Sequence, residues 1–271
     1  MKAKAFAPGN VSCIFRICRH KDPLRMGSLG VGFTINKGIT AAASLSKKTT
    51  VRFNKKRIGM PTVKTALGQV TDKNIAIDFR SELPLGMGFG LSGACALSAA
   101  LAVNKLLNLK KSRIELAKAA HYAEVVNHTG LGDVAGQLKG GFLIKRKQGN
   151  PLKAERLNVK EKIVYCQWFG KLDTKKVITN KAAEKRINKA GDMALKKIKR
   201  DMKLAEVIEI SKTFAKESGL LRNKKVIGTI KEIENKGGKA SMIMLGHAVF
   251  SNIPFKGAKR MQITKRSAGV L

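Results

Sequence analysis

Three side chains that could act on a phosphoryl group lie between positions 121 and 133. His121 and Glu124 are three residues apart in a stretch with a helical pattern, so their side chains share one face. Asp133 follows in the sequence GLGD, at or near the start of the next short helix. Glu124 could hold Mg²⁺, which prefers carboxylate and phosphate oxygens, and Asp133 could orient or deprotonate a hydroxyl group. Taken singly, each has a structural alternative: a packed histidine, a surface carboxylate and a helix N-cap.

A glycine-rich loop precedes these residues and is a candidate phosphate-binding site. The stretch LPLGMGFGLSGACALSAA places Gly86, Gly88, Gly90 and Gly93 just before a helix predicted over 92–107. Free N–H groups at such a helix start bind anions, although a tight turn before a core helix is the simpler alternative. No lysine follows the last glycine, so the loop is not a P-loop. A dinucleotide fold is also disfavoured, because RSELPL separates the candidate strand NIAIDF from the loop and Glu115, near the expected distance, lies in a helical stretch. Together with the carboxylates, the loop indicates phosphoryl transfer.

Composition limits the class of protein. The 271 residues are 44% hydrophobic and carry 54 lysines and arginines against 18 acids, for a net charge of +36. This charge is compatible with non-specific nucleic-acid contact. Because the lysines are spread along the chain and aromatic residues are only 5%, we interpret it mainly as a solvated surface. We expect no membrane segment and no signal peptide, and four cysteines without a C-x-x-C pair favour reduced thiols in the cytoplasm.

The pattern of elements predicts an α+β protein. Short strand-like runs dominate the N-terminal part, including NIAIDF before the loop, and a capping box formed by Ser112 and Glu115 begins a second helix. A boundary near Gly149–Pro151 divides the chain into residues 1–150 and 151–271. Two or three lysine-rich helices are expected between positions 181 and 235, followed by a terminal strand or hairpin.

Three segments resemble the landmarks of the GHMP kinases: APGN near the start, LPLGMGFGLSGACALSAAL, and GLGDVAGQLKGG. More narrowly, DPLRMGSLGVGFTINKG and GLGDVAGQLKGGF resemble archaeal pantoate kinases. The resemblance implies a GHMP kinase fold, with an N-terminal α/β domain like ribosomal protein S5 domain 2 and a C-terminal α+β domain. It also implies that ATP phosphorylates (R)-pantoate to (R)-4-phosphopantoate on the archaeal route to coenzyme A.

The same resemblance assigns roles to residues by motif. Glu124 and Ser92 would hold Mg²⁺, and Asp133 would orient or deprotonate the substrate hydroxyl. The residues that would wrap the ATP phosphates are Pro84, Gly86, Gly88, Gly90, Leu91, Ser92, Gly93 and Ala94. The residues that would bind pantoate are Ser28, His121, and Lys145 or Arg146, of which a bidentate clamp on the carboxylate favours Arg146. Leu29, Val31 and Phe33 are candidates for an apolar wall near Ser28.

The sequence therefore predicts a pantoate kinase that uses ATP and Mg²⁺, with a homodimer also compatible. One alternative is a GHMP kinase acting on another small hydroxy acid or alcohol, homoserine-like or mevalonate-like. The other is a basic nucleic-acid-binding protein with a degenerate kinase fold. The sequence DPLRMGSLGVG favours the pantoate branch over the first alternative, and the presence of Glu124 and Asp133 argues against the second.

Overall fold

Two long antiparallel strands form the centre of the protein. A computed structural model describes residues 2–148 and 154–271. Strand β1 (Ala3–Cys18) pairs with β2 (Gly27–Leu45) along nearly its whole length. The pairing shifts register between Pro8 and Gly9, as expected for a proline, which cannot donate to the ladder. A proline often ends a strand, but β1 continues past Pro8 and carries Asn10 and Ser12 into the interior.

Within the described residues, eight strands form this sheet around β2. One half of β2 pairs with β1 and β5, and the other half pairs with β1 and β6. The order is β14-β1-β2-β5-β3-β4, with β6 beside β2 and β7 beside β6. The remaining strands of the sheet are β3 (Thr50–Phe53), β4 (Lys56–Arg57), β5 (Ile75–Arg80), β6 (Phe142–Lys145), β7 (Ala154–Arg156) and β14 (Gly269–Val270).

Four helices accompany the sheet: α1 (Pro61–Gly68), α2 (Leu91–Leu107), α3 (Arg113–Val126) and α4 (Asp133–Lys139). Helix α2 follows the glycine-rich loop, as the sequence predicts, and contacts both central strands. Most of α2 is buried, and its many alanines let it approach the sheet and its neighbouring helices closely. The predicted capping box of Ser112 and Glu115 is confirmed at the start of α3.

The second half of the chain builds a further antiparallel sheet, in the order β11-β12-β9-β13, and a short parallel pair, β8 with β10. Helix α6 contacts β1, and α7 contacts both β1 and β11. None of the helices in the described parts of the chain is long and apolar enough to cross a membrane. The helices are α5 (Thr174–Ile178), α6 (Lys181–Lys196), α7 (Leu204–Glu217) and α8 (Lys224–Asn235). The strands are β8 (Asn158–Val159), β9 (Ile163–Gly170), β10 (Asp201–Met202), β11 (Ala240–Met242), β12 (His247–Ser251) and β13 (Lys259–Gln262).

The C-terminal segment returns to the first sheet. Strand β14 pairs with β1, and Ile263 forms a bridge with Ile35 of β2. The predicted boundary near Gly149–Pro151 lies outside the described residues, so the division into 1–150 and 151–271 stays a prediction. Apolar residues from both halves form one continuous core, which fixes the two halves around the site described next.

Candidate active site

The glycine-rich loop presents an uncapped helix start. Gly86, Gly88 and Gly90 all have positive φ angles, and Gly90 is the N-cap of α2 with φ near 60°. No side chain caps this helix, so the N–H groups of Leu91 and Ser92 at its start are free to bind an anion. A hydrogen bond attaches the loop to β1: the Asn10 backbone N–H donates to the Phe89 carbonyl at 2.9 Å. This geometry is suited to binding an anion such as phosphate.

An open cleft of about 980 Å³ lies over this loop. Gly86, Gly88, Gly90, Leu91 and Ser92 line one side of it. The other walls come from the segment that leads into α5, the turn between β11 and β12, and the residues after α3 (Leu172, Asp173, Thr174, Lys175, Met244, Leu245, Asn127, His128, Thr129). Of the residues predicted to wrap ATP, Pro84, Gly93 and Ala94 do not line the cleft, and Gly93 and Ala94 are buried inside the first turn of α2.

A second open cleft, of about 660 Å³, adjoins the first. Cross-strand partners from β2 and β6 line it: Gly30 opposite Lys145, and Gly32 opposite Leu143. Ser28, which the resemblance assigns to the substrate, also lines this cleft. Its apolar walls are formed chiefly by Ile14, Phe15, Val31, Leu131, Leu143, Ile178 and Leu245. Val31 is therefore part of the wall, whereas Leu29 and Phe33 are not among the lining residues.

Asp133 lines both clefts. Its Oδ1 accepts hydrogen bonds from Asn10 Nδ2 at 2.7 Å and from Ser12 Oγ at 3.1 Å. Burial raises the pKa of Asp133, and these two hydrogen bonds oppose the rise. Oδ2 accepts no hydrogen bond from the described residues, so it is free for a ligand. Asn10 and Ser12 were not predicted as site residues, although Asn10 ends the APGN motif.

Glu124 is a fully buried carboxyl group beside the start of α2. Among the described residues neither of its oxygens has a hydrogen-bond partner. Burial, and then the charge of Asp133, raise its pKa well above the usual range, and the nearby Gly93 N–H opposes this without a hydrogen bond of ordinary geometry. Such a group is stable only when protonated or when paired with a cation.

The closeness of Glu124 to the loop depends on a missing side chain. A Cβ on Gly93 would stand 2.8 Å from Glu124 Oε2. Within the described residues, no group of three or more histidines, cysteines, aspartates and glutamates could hold a metal by itself. A cation at Glu124 would therefore need further ligands from a bound molecule.

The two candidate cations, Lys145 at the end of β6 and Arg146 directly after it, line different clefts. Lys145 lines the second cleft, is only 7% exposed, and its Nζ has no hydrogen-bond partner among the described residues. Burial lowers the pKa of Lys145 to about 8. Arg146 lies instead in a separate cleft with Arg156 and Arg200, and its Nε is 4.0 Å from Glu155 Oε2. The preference for Arg146 is therefore corrected, because successive side chains of a strand point to opposite faces.

His121 does not line the second cleft, contrary to the prediction. It is buried, and its Nε2 donates to the Met26 carbonyl at 2.9 Å, which fixes the tautomer because a carbonyl only accepts. Burial, together with the nearby charge of Lys145, lowers the pKa of His121 to about 4, so the ring is neutral. Through this hydrogen bond His121 holds Met26, the residue just before β2, and β2 carries Ser28.

Comparison with known proteins identifies the family of this chain. Residues 53–141 match the family of GHMP kinases N terminal domain. Over 250 residues the chain is 33% identical to pantoate kinase from Methanocaldococcus jannaschii, covering 90% of each chain. The chain belongs to the pantoate kinases, within the GHMP kinase family. Pantoate kinase from Thermococcus kodakarensis is 30% identical over 279 residues, covering 96% of this chain and 90% of the relative.

A solved structure extends the likeness to the whole fold. A structure described as a phosphotransferase related to the CoA biosynthesis pathway superposes with a TM-score of 0.83 at 27% identity, covering 100% of this chain and 99% of the other. The predicted α+β GHMP kinase fold is thereby confirmed. Membership in the GHMP kinases makes this protein a small-molecule kinase and makes ATP its phosphoryl donor.

Proposed function

We propose that this enzyme transfers the terminal phosphoryl group of ATP to the primary hydroxyl of pantoate, giving 4-phosphopantoate in coenzyme A biosynthesis. The observation that carries the proposal is the position of Asp133, which lines both the cleft over the glycine-rich loop and the cleft that contains Lys145. An acceptor hydroxyl and a nucleotide phosphate can therefore meet at one carboxylate. The names of the relatives support the choice of substrate.

The second cleft has the chemistry that pantoate requires. Pantoate carries one carboxylate, two hydroxyl groups and a gem-dimethyl carbon between them. We assign its carboxylate to the buried ammonium of Lys145 and a hydroxyl contact to Ser28, and the apolar walls would enclose the methyl groups. Homoserine is a poorer match, because its α-ammonium group would need a second carboxylate. Asp133 is the only carboxylate among the described residues of this cleft, and it lies where the hydroxyl reacts.

Asp133 would act on the attacking hydroxyl. Asn10 and Ser12 hold Oδ1, so Oδ2 can accept the hydroxyl proton and direct the oxygen toward the terminal phosphorus. The raised pKa brings this carboxyl closer to neutral pH than an exposed aspartate and so makes it a better base. The free N–H groups at the start of α2 would stabilise the negative charge on the phosphate oxygens during transfer.

Mg²⁺ fits the environment of Glu124. Its two buried carboxylate oxygens have no hydrogen-bond donors, so a bound cation would stabilise them. Ser92 lines the cleft over the glycine-rich loop, which we call the nucleotide cleft, and offers a hydroxyl group there. We therefore assign Glu124 and Ser92 as protein ligands, with ATP phosphate oxygens and water completing the shell, as is common for Mg²⁺. When bound, the ion would neutralise charge on the phosphates.

The remaining partners stay predictions from the sequence. Contact with nucleic acid is expected to be non-specific and caused by net charge alone. A homodimer and a cytoplasmic location are likewise predictions.

The direct test is an ADP-release assay with purified protein, ATP and Mg²⁺ over a panel of pantoate, homoserine and mevalonate. We expect pantoate to give the highest kcat/KM, and phosphorus NMR to locate the new phosphate on the primary hydroxyl. Asp133→Asn is the matched control that retains the clefts and removes the base. Faster phosphorylation of homoserine than of pantoate would overturn the substrate while leaving the kinase reaction intact.

A further inference from the structure

Gln137 is a buried amide that the reaction described above does not use. It lies on α4 one helical turn after Asp133 and is fully inaccessible to solvent. Its Nε2 donates to the Gly90 carbonyl at 2.7 Å. That carbonyl also accepts the first hydrogen bond of α2, from the Ala94 N–H at 3.1 Å. Gln137 therefore ties the helix of the proposed base to the residue where the phosphate-binding loop becomes a helix.

The other end of the amide lies beside Gly93, as does the Glu124 carboxyl group. Gln137 Oε1 has no hydrogen-bond partner among the described residues. It stands 3.1 Å from the point where a Gly93 Cβ would lie, and Glu124 Oε2 stands 2.8 Å from the same point. Both oxygens therefore lie beside Gly93, and neither has a hydrogen-bond donor among the described residues. A buried acceptor without a partner, such as Gln137 Oε1, normally destabilises a protein, and an apolar side chain of the same size would avoid that cost.

We propose that Gln137 is a positioning residue for the kinase reaction: its Nε2 fixes the Gly90 carbonyl at the start of α2, and its unpaired Oε1 beside Glu124 would act from outside the ligand shell of a cation bound there. The proposal rests on the proposed function and on the assignment of Mg²⁺ to Glu124. A partner that orients a metal-binding side chain from outside the ligand shell commonly changes metal affinity when it is replaced. Gln137 would couple two events, nucleotide binding at the loop and cation binding at Glu124.

The test compares Gln137→Met with Ser98→Ala. Gln137→Met keeps the side-chain length and removes both the hydrogen bond to the Gly90 carbonyl and the unpaired oxygen beside Glu124. Ser98 is equally buried, and its Oγ donates to the Ala94 carbonyl at 2.7 Å, so Ser98→Ala removes a buried hydrogen bond from α2 without touching Glu124. Loss of a buried hydrogen bond is therefore matched between the two variants, and only the coupling differs.

Two binding measurements separate positioning from simple stability. The affinity for Mn²⁺ in the presence of ADP is measured by electron paramagnetic resonance. The affinity for ADP without metal is followed through the fluorescence of Trp168, the only tryptophan, whose ring packs edge-on against Phe89 of the loop at 5.6 Å. We expect Gln137→Met to weaken Mn²⁺ binding about 10-fold and to lower kcat by a similar factor, with the KM for pantoate changed less than about 2-fold. Ser98→Ala should match the wild type in all of these.

Wild-type Mn²⁺ affinity in Gln137→Met, or a loss no larger than that in Ser98→Ala, would overturn the proposal. If Gln137→Met does not fold, Gln137→Asn gives the same comparison, because it keeps the amide and withdraws it by one methylene. Normal Mn²⁺ affinity in Gln137→Asn would equally contradict the assigned role. A wild-type protein that binds Mn²⁺ and ADP but does not phosphorylate pantoate would refute the proposed substrate. The comparison of Mn²⁺ affinities between the wild type and Gln137→Met would still test the role of Gln137.

Discussion

Replacing Lys145 by methionine should reduce activity and raise stability together. The change removes the ammonium group and keeps a flexible side chain of similar length in the second cleft. Without the cation, a bound pantoate carboxylate is buried with no partner, at a cost of about 2–5 kcal/mol for a desolvated charge pair. At about 1.4 kcal/mol for each factor of ten, kcat/KM for pantoate should fall by about 30-fold or more. The KM for ATP should change little, because Lys145 does not line the nucleotide cleft.

The gain in stability follows from the buried, unpaired charge of the free enzyme. Burial lowers the pKa of Lys145 from 10.5 to about 8, so the unfolded chain binds this proton more tightly than the folded one. The difference corresponds to at most about 3 kcal/mol of destabilisation at pH 7. Stability of the wild type should therefore rise with pH between about 8 and 10.5, where the unfolded chain still holds the proton. The advantage of Lys145→Met should be full at pH 7 and shrink across that range.

Arg146→Met is the matched control for this prediction. The neighbouring arginine side chain is 47% exposed and lies outside both clefts, so its loss should leave the KM for pantoate near the wild-type value. The measurements are steady-state kinetics with pantoate and ATP varied in turn, and urea unfolding at pH 7 and pH 10. Unchanged pantoate kinetics in Lys145→Met, or a larger effect in Arg146→Met, would refute the assignment of the carboxylate to Lys145.

Three further predictions concern the other charged groups. Asp133→Asn should keep the melting temperature within a few degrees and lower kcat by about 100-fold or more, and near-normal turnover would exclude it as the base. The raised pKa of Glu124 means that the folded protein holds this proton more tightly, so wild-type stability should fall as the pH rises from 4.5 toward that raised pKa. Glu124→Gln should lack this fall and lose Mn²⁺ affinity, which paired urea titrations and resonance measurements would check. RNA binding should be weak, salt-labile and indifferent to sequence. Both acids of α6 pair with arginines of the N-terminal segment (Arg16 with Asp192, Arg19 with Glu184), so mainly cations remain on the outer surface of this helix, and such a surface attracts phosphates without reading the sequence. Sub-micromolar binding to one defined RNA over its scrambled version at physiological salt would contradict this.

Elements with local signals could be predicted from the sequence. Gly90 and the alanine-rich run after it mark the start and the buried character of α2, and Ser112 with Glu115 marks the start of α3. The resemblance of three motifs led to the GHMP fold. The starts of these two helices depend on residues within a few positions of each other, so periodicity and capping chemistry are sufficient to predict them, whereas the fold was implied by the resemblance.

Features that depend on distant partners were missed or left open. Pro8 looks like the end of a strand, yet pairing with β2 carries the strand past it, and this brings Asn10 and Ser12 to Asp133, more than 120 positions away. Helix α1 has little signal of its own beyond a proline at its first turn, and packing against α2 and α3 supports it. Bidentate geometry favoured Arg146 over Lys145, but the pairing of β6 with β2 decides which side chain faces the cleft.

The buried polar groups show why these long-range contacts matter for function. Among the described residues, the buried side-chain atoms without partners belong to Glu124, His128, Gln137 and Lys145. Lys145 and His128 line the two clefts, and Glu124 and Gln137 lie directly behind the loop. Other buried polar groups, such as Ser98 and Ser211, are paired. Unpaired burial destabilises the free protein, so its concentration here indicates groups that bound ligands complete. The charges of these groups are complementary to those of the proposed ligands. The ammonium of Lys145 faces the second cleft, where it would meet an acidic substrate, and the unpaired carboxyl group of Glu124 lies beside the start of α2, where the metal ion bound to a nucleotide would bring positive charge.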